Sequence, residues 1–373
     1  MIRLNLNIVF LGLSITSSWG NGHATIYRAL MKALDARGHR VLFLEHDKPW
    51  YAENRDLPTP TYGRTALYSS VEALKDEYAR EVREADLVVV GSYVPEGVAV
   101  GQWVLEEARG GVAFYDIDTP VTLARLPDGE HGYIDSELVR RYPLYLSFTG
   151  GPILERLQRE YGSPCARPLY CCVDPELYYP AAAMNEATPE TGVWDLGYMG
   201  TYSGDRLAKL NRLLLDPARR MPGQRFIVVG PRYPDDYPWP GNVERVEHLP
   251  PGEHCGFYNC QRFTLNITRR DMVEAGYSPS VRLFEAAACG TPIISDDWPG
   301  LGTFFEPGHE VLIAESSQQV IEYLNGVSET DRRRLGERAR ARVLSEHTAA
   351  HRARQIEQYA MMLLDRARPR AAG

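Results

Sequence analysis

The 373-residue sequence lacks the features that mark a membrane-spanning, nucleic-acid-binding or zinc-binding protein. No apolar run approaches the ~20 residues that a transmembrane helix needs. Basic residues are not in excess, because 49 acidic side chains outnumber 41 Lys and Arg and leave a net charge of −8. There is therefore no general electrostatic attraction to nucleic acid or to anionic lipid. The six cysteines lack metal-ligand spacing, and we expect reduced, mostly buried thiols in a cytoplasmic protein.

The N-terminal segment MIRLNLNIVFLGLSI has one feature of a signal peptide, a short apolar run after an Arg. Asn5 and Asn7 interrupt that run, and a turn and a helical pattern follow where a cleavage site would stand. We therefore expect a buried first strand rather than a leader.

The sequence does contain enough apolar residues to form the cores of two domains. Hydrophobic residues make up 44% and charged residues 24% of the chain, as in ordinary globular proteins. A chain of this length suits two α/β domains that each bury a core. We find no internal repeat beyond two similar halves.

The first half alternates strand and helix patterns, which is typical of a parallel sheet. The predicted strands are Asn7–Leu13, Val41–Glu45, Asp86–Val90, Val112–Ile117, Leu144–Phe148 and Leu169–Val173. The predicted helices are Ala24–Arg37, Val71–Ala85, Val98–Arg109 and Pro152–Tyr161. The aromatic, Pro-rich stretch from Trp50 to Tyr62 is too irregular for a regular element. This order predicts a doubly wound, Rossmann-like domain.

A second series follows the segment CVDPELYYP (Cys172–Pro180), which two prolines stiffen, and a linker at Ala181–Gly192. The predicted strands are Leu196–Met199, Arg225–Val229, Val243–His248, Phe263–Thr268, Pro292–Ser295 and Glu310–Ala314. The predicted helices are Arg206–Leu215, Glu253–Cys260, Phe284–Gly290, Gln318–Asn325, Glu329–Ser345 and Thr348–Arg366.

The stretch Ser278–Ala314 carries the most specific chemistry in the sequence. Glu285 opens a run of three alanines that precedes Gly290, so its helix can approach another backbone or a flat ligand closely. Arg282 lies three residues before Glu285, on the same helical face. A carboxylate suits the two hydroxyls of a ribose, and a guanidinium suits a diphosphate. An ordinary helix–strand unit with a solvated Glu285 is the alternative.

This segment resembles the donor-nucleotide motif of GT-B glycosyltransferases of the group 1 type. Together with SWGNGHAT, YDIDTP and NITRRDM, it is most similar to the CgeB-like (spore-maturation-type) branch. The resemblance implies an α/β GT-B fold with two Rossmann-like, doubly wound domains that face each other across a cleft. Residues 1–178 would form the acceptor-side domain, residues 179–345 would bind the nucleotide sugar, and a C-terminal helix within 346–373 would cross back.

The implied function is transfer of a hexosyl or related group from a nucleoside-diphosphate sugar to an acceptor hydroxyl. The resemblance implies a metal-independent reaction with no cofactor, and we expect a UDP- or dTDP-sugar as the donor. Many retaining members carry a second Glu where this chain has Tyr277, so the stereochemistry stays open. A GT-B sugar-nucleotide 2-epimerase and a non-catalytic sugar-nucleotide or glycan-binding protein are the alternatives.

The resemblance also implies which residues bind the donor. A Glu on the motif helix holds the ribose, basic residues neutralise the diphosphate, and small-residue turns pass over the phosphates. The loop from Asp296 to Gly302 would face the sugar. The predicted donor-binding residues are Gly22, Gly200, Thr201, Arg269, Arg270, Arg282, Leu283 and Glu285.

His23 and Asp118 are the predicted catalytic residues. His23 stands at the start of a helix, where the positive end of the helix dipole should lower its pKa and keep the imidazole neutral. Asp118 follows a strand, at the edge where α/β proteins place ligands. A capping His and an Asx turn before Thr119-Pro120 are the structural alternatives.

Three further patterns admit more than one interpretation. Asp116 and Asp118 could share a divalent ion if both lie on a strand, as in GT-A enzymes. Glu45 or Asp47, near the end of the second strand, would suit a dinucleotide-binding domain. Trp50 and Tyr51 are predicted to form an aromatic platform for the acceptor, with local packing as the alternative.

Overall fold

The structure, a computed structural model, describes residues 5–126, 132–181 and 194–367 and consists of two compact units. The first unit combines Met1–Cys172 with Ala349–Gly373, and the second unit is Val173–Thr348. Apart from Ala181, the predicted linker lies outside the described residues. No helix in the described ranges is both long and apolar enough to span a bilayer.

The first unit contains a seven-stranded sheet in which every pair is parallel. Its strands are β1 (Asn7–Gly12), β2 (Arg40–His46), β3 (Arg64–Tyr68), β4 (Leu87–Gly91), β5 (Gly111–Asp116), β6 (Leu144–Ser147) and β7 (Ala166–Pro168). Their order is β3-β2-β1-β4-β5-β6-β7. Every residue of β4 and of β5 is buried, as expected for strands covered on both faces.

Helices connect and cover these strands. They are α1 (His23–Ala36), α2 (Pro49–Ala52), α3 (Val71–Glu84), α4 (Gly97–Glu107), α5 (Thr119–Arg125), α6 (Ser136–Arg141) and α7 (Pro152–Arg159), together with the C-terminal helix Ala349–Ala367, labelled α15 in chain order. Arg37 at the end of α1 binds Glu357 of α15 through two N–O contacts of 2.6 Å. His39 lies 2.7 Å from the same carboxylate.

Three sequence predictions for this unit are wrong. The stretch predicted to be irregular contains α2 and leads into β3, and α5 and α6 had no predicted counterpart. The last strand is Ala166–Pro168 rather than Leu169–Val173, because its partner β6 ends at Ser147, which pairs with Pro168. The apolar residues after Pro168 are buried without strand pairing, and the carbonyl of Tyr170 accepts a hydrogen bond from Arg352 of α15.

The second unit contains a six-stranded parallel sheet of order β10-β9-β8-β11-β12-β13. Its strands are β8 (Trp194–Met199), β9 (Phe226–Val229), β10 (Val243–Val246), β11 (Gln261–Asn266), β12 (Ile293–Ser295) and β13 (Leu312–Ile313). Its helices are α8 (Gly204–Leu210), α9 (Asp216–Arg220), α10 (Pro251–Asn259), α11 (Arg270–Ala275), α12 (Val281–Ala288), α13 (Ser317–Gly326) and α14 (Glu329–Glu346).

The predicted helix Arg206–Leu215 is longer and less regular than expected. The chain passes from α8 through a π-helical turn at Asn211–Leu215 into α9. Pro217 has no N–H to donate to the preceding turn, which favours a change of helical register there. The helix α11 was not predicted, and α12 begins at Val281 rather than Phe284.

The predicted close approach of the motif helix to another backbone is confirmed. Ala286, Ala287 and Ala288 are fully buried. A Cβ on Gly336 of α14 would lie 2.0 Å from the carbonyl oxygen of Gly290. The small residues therefore serve helix packing, whatever else this segment does.

In both sheets the strand order reverses direction once, between β1 and β4 and between β8 and β11. Parallel α/β sheets bind ligands beyond the carboxyl ends of the strands at such a switch point. The loops after these four strands are therefore where functional side chains should stand.

Candidate functional site

The loop after β1 is held in place by the buried carboxylate of Glu45. That carboxylate accepts hydrogen bonds from the backbone N–H groups of Ile15 at 2.8 Å and Thr16 at 3.0 Å. It also accepts from the hydroxyls of Ser14 and Thr16. Because these bonds occupy both oxygens, Glu45 is not available to bind a ribose. One of the two carboxylates that favoured a dinucleotide-binding domain is therefore excluded.

His23 is the first residue of α1, and its N–H donates to Asn21 Oδ1 at 3.1 Å. Gly22 precedes it, with no atom within 4 Å of the position that a Cβ would occupy. His23 Nδ1 is buried and has no hydrogen-bond partner among the described residues. Burial lowers the pKa of His23, and the carboxylate of Asp118 opposes that shift. The predicted direction therefore holds, but burial rather than the helix dipole is the main cause.

Tyr93 joins the two predicted catalytic residues. Its hydroxyl donates to Asp118 Oδ2 at 2.9 Å, and its ring centroid lies 5.3 Å from that of His23. Sequence reasoning missed Tyr93. Its position directly after the buried strand β4, at the switch point, was the signal that could have found it.

Asp116 is fully buried. Because β5 ends at Asp116, Asp118 is not part of the strand, and the two side chains do not share a strand face. Its Oδ1 accepts hydrogen bonds from the Asp118 N–H at 3.1 Å and from Thr122 at 2.9 Å, and its Oδ2 accepts from the Tyr145 hydroxyl at 2.5 Å. Burial raises the pKa of Asp116 to about 6. The two aspartates are thus not arranged to share an ion. The described ranges contain no cluster of three or more His, Cys, Asp or Glu side chains that could hold a metal.

The predicted acceptor platform lies on the short helix α2. Trp50 is 57% exposed, whereas Tyr51 is half-buried. The Asn54 side chain donates to the Trp50 carbonyl at 2.8 Å, and the Ser17 hydroxyl donates to the Asn54 carbonyl at 2.7 Å. These two bonds connect the backbone of α2, through Asn54, to the loop that precedes His23.

In the second unit, Arg282 lies at the start of α12 and reaches toward the carboxyl end of β8. Its Nη1 donates to Asn266 Oδ1 at 2.9 Å, and its guanidinium carbon lies 5.1 Å from the Tyr198 ring centroid. A Cβ on Gly200 would lie 2.5 Å from the Tyr198 hydroxyl and 3.2 Å from Arg282 Nη2. A side chain at position 200 would therefore displace Tyr198 and crowd the guanidinium of Arg282.

Arg206 on α8 is a second guanidinium at this edge. Its Nη2 donates to the Thr201 carbonyl at 2.5 Å, and its Nε is buried without a partner among the described residues. Burial lowers the pKa of Arg206, and the positive charge of Arg282 adds to that shift. Two like charges therefore converge beyond the end of β8, an arrangement that an anion would stabilise.

Lys209, one turn further along α8, forms an ion pair of 2.5 Å with Asp296. Asp296 also accepts hydrogen bonds from the N–H and hydroxyl of Thr268, so this end of the predicted sugar-facing loop is anchored rather than open. Sequence reasoning missed Arg206 and Lys209. Their spacing on the first helix after β8 was the available signal.

The other predicted donor residues lie in different surroundings. Arg269 immediately precedes α11, and Arg270 is exposed with its N–H bonded to Asp205 at 2.9 Å. Leu283 is 1% exposed and packs in the interior, so its side chain offers no surface to a ligand.

Glu285 was predicted to be a free carboxylate for a ribose. Its side chain is 5% exposed. Its Oε1 accepts a hydrogen bond from the Tyr178 hydroxyl at 2.9 Å and its Oε2 from the Tyr258 hydroxyl at 3.0 Å. The structure therefore gives Glu285 two hydrogen-bond partners that the sequence did not reveal, with His254 Nδ1 4.0 Å from Oε2, and a ribose would have to compete with them.

Comparison with known proteins agrees with this architecture. Residues 206–358 match the model of a family described as glycosyl transferase-like. No curated protein sequence matches the chain. Among solved structures, sucrose-phosphate synthase from Thermosynechococcus elongatus is similar with a TM-score of 0.68 at 16% identity, over 96% of this chain and 99% of that chain.

Two other solved structures are also similar over nearly their whole length. Anabaena HepE in complex with UDP and glucose has a TM-score of 0.70 at 14% identity, covering 96% of this chain and 100% of that chain. An alpha-glucosyltransferase in complex with UDP and a 13-mer DNA has a TM-score of 0.69 at 12% identity, with 96% and 100% covered. The fold is that of the GT-B glycosyltransferases, as the sequence predicted.

Proposed function

We propose that this protein is a glycosyltransferase that moves a sugar from a nucleoside-diphosphate sugar to an acceptor hydroxyl without a metal ion. The observation that carries the proposal is the convergence of Arg206 and Arg282 at the switch point of the second sheet. The family-model match spans both residues.

The two guanidinium groups suit the chemistry of the donor. Negative charge accumulates on the diphosphate as the bond to the sugar breaks, and preorganised cations stabilise that charge in place of a metal. Gly200 and Thr201 provide the close backbone approach beside them, and Arg269 and Arg270 stand on the next loop as further cations. We propose a UDP- or dTDP-sugar as the donor, in keeping with the UDP bound to HepE.

Activation of the acceptor falls to the first unit. His23 or Asp118 would take the proton from the acceptor hydroxyl as that oxygen attacks the sugar carbon. The lowered pKa of His23 keeps its imidazole neutral and able to accept a proton. Trp50 offers an exposed ring on which a sugar or aglycone face could stack.

Thermal stability with added nucleotides tests the donor site. UDP, dTDP, GDP and ADP would each be added in EDTA and then with Mg²⁺. A nucleotide at 100-fold its Kd adds about 2.7 kcal/mol to the free energy of unfolding. We expect UDP or dTDP to stabilise the protein in EDTA. Stabilisation only with Mg²⁺ would contradict the metal-independent site.

Turnover tests the reaction itself. We expect sugar transfer from the stabilising donor to an added acceptor, and loss of that transfer in His23→Ala or Asp118→Asn. Isomerisation of the donor without an acceptor would instead identify an epimerase. Binding with no product after long incubation would identify a non-catalytic binding protein. Near-normal turnover in both variants would remove both residues as bases.

A further inference from the structure

Tyr93 has a backbone conformation that is unusual for a residue other than glycine. It follows β4, which lies between β1 and β5 in the sheet, so it stands between the loops that carry His23 and Asp118. Its φ is +65°, in the left-handed region that non-glycine residues rarely adopt. Such a conformation costs about 1–2 kcal/mol and persists where the surroundings enforce it, often at functional sites.

The Tyr93 side chain contacts both predicted catalytic groups. Its hydroxyl donates to Asp118 Oδ2 at 2.9 Å, and its ring packs against His23 at 5.3 Å and Tyr133 at 4.8 Å between centroids. Burial raises the pKa of Tyr93 well above its ordinary value. The phenol therefore stays protonated and remains a hydrogen-bond donor.

The far side of Asp118 is held as well. Its N–H donates to Asp116 Oδ1 at 3.1 Å, and the Thr122 hydroxyl donates to the same oxygen at 2.9 Å. The Tyr133 hydroxyl lies 2.9 Å from that of Thr122. Asp118 is thus fixed by its backbone from one direction and by Tyr93 from another.

We propose that Tyr93 is a positioning residue that fixes the orientation of the Asp118 carboxylate beside the imidazole of His23. The hydrogen bond that the Tyr93 hydroxyl donates restricts the rotation of this carboxylate. Asp118 and His23 then act as one unit, in which the carboxylate stabilises the imidazolium that forms when His23 accepts a proton. The kinetic part of this inference rests on the proposed transferase function, whereas its structural part does not.

The test is the replacement Tyr93→Phe, which removes the hydroxyl and keeps the ring. Tyr142→Phe is the matched control, because the Tyr142 hydroxyl is buried without a hydrogen-bond partner among the described residues. The imidazole Cε1–H resonance of His23, assigned by its absence in His23→Ala, would be followed against pH. The other titratable groups that face this imidazole are Asp118 and Tyr93.

We expect the midpoint of the His23 titration to fall by about 0.5 pH unit in Tyr93→Phe, because a displaced Asp118 carboxylate stabilises the imidazolium less, and to stay unchanged in Tyr142→Phe. In the transferase assay, kcat should fall about 10-fold with the donor KM within about 2-fold, and the acidic limb of the kcat profile, set by the His23 imidazole, should move to lower pH.

Equal midpoints in Tyr93→Phe and the unaltered protein would overturn the inference. Because the NMR titration needs no turnover, it decides the role of Tyr93 even if no donor is transferred. A shifted midpoint in a protein without transferase activity would support the positioning role and contradict the proposed function. An active transferase with an unshifted midpoint would support the proposed function and contradict the positioning role of Tyr93.

Discussion

The Tyr178 hydroxyl donates a buried hydrogen bond of 2.9 Å to Glu285, although 107 positions separate the two residues. Tyr178 belongs to the Pro-stiffened segment that begins the second unit, and Glu285 belongs to the motif helix α12. The bond therefore fastens the start of this unit to the helix that carries Arg282. Tyr258 on α10 completes the arrangement from the other side of the carboxylate.

We expect Glu285→Ala to lower the free energy of unfolding by about 2–4 kcal/mol. The replacement leaves the buried Tyr258 hydroxyl without its acceptor and leaves the Tyr178 hydroxyl only a longer contact of 3.3 Å with His254 Nδ1. An unsatisfied buried hydroxyl costs about 1–3 kcal/mol. Urea unfolding measures the effect. Tyr178→Phe removes only one donor and should cost less, so equal stability of Glu285→Ala and the unaltered protein would contradict the structural role.

Glu285→Ala, if it folds, also tests the predicted ribose contact. Loss of a bidentate contact with the ribose should raise the donor KM by ~10-fold or more. Tyr178→Phe leaves the carboxylate in place and is the control for indirect effects. Unchanged donor affinity in Glu285→Ala would leave this residue with the structural role alone.

Replacing Arg282 with Ala should weaken donor binding about 10- to 100-fold, because hydrogen bonds between charged partners contribute about 1.5–3 kcal/mol each. Arg206→Ala should act in the same direction. Titration calorimetry with the stabilising nucleotide measures both. Arg219→Ala is the control, since Arg219 lies on the surface and pairs with Asp216. A loss of affinity no larger than that of the control would refute the proposed diphosphate site.

Gly200→Ala should reduce nucleotide affinity about 10-fold while the fold is retained. The added methyl would lie 2.5 Å from the Tyr198 hydroxyl and 3.2 Å from Arg282 Nη2, so both side chains must move. Gly204→Ala, at a position with no atom within 4 Å of the new Cβ, should change stability by no more than about 0.5 kcal/mol. Equal nucleotide binding by the two variants would show that the position of Arg282 is unimportant.

The contact between α1 and α15 should make part of the stability depend on pH. The hydrogen bonds from Arg37 lower the pKa of Glu357 below its ordinary value of 4.5. A carboxylate with a lowered pKa stabilises the fold above about pH 4.5, and this contribution is lost as the pH falls through the folded-state value.

We therefore expect Glu357→Gln to cost about 1 kcal/mol at pH 7, since the pair is partly solvated, and to cost progressively less below pH 4.5. Denaturant unfolding of both proteins between pH 3 and pH 7 measures this difference. Glu84→Gln, which breaks an exposed pair with Arg80, is the control and should have little effect at any pH. A difference that does not vary with pH would contradict the assignment.

The sequence by itself determined the architecture. Runs such as Leu87–Gly91 can only be buried strands, and their alternation with amphipathic helices specifies two parallel sheets, because hydrophobic periodicity is a local property of the chain. The same local logic placed Gly200 and Asp118 at strand ends, His23 at the start of a helix and Arg282 one turn before Glu285. This logic failed to predict β7, because the extent of that strand is set by its partner β6, whose last residue pairs with the last residue of β7.

Only the tertiary structure decided which of those side chains have partners. The sequence suggests that Glu285 is a free carboxylate, but it accepts hydrogen bonds from Tyr178 and Tyr258, which lie in distant segments. Asp116 and Asp118 read as a pair, yet the end of β5 separates their roles. Tyr93 and Arg206 carry no motif and gain their importance from the strands that bring them beside Asp118 and Arg282. Hydrogen-bond partners depend on contacts between residues far apart in the chain, and those contacts exist only once the sheets have formed.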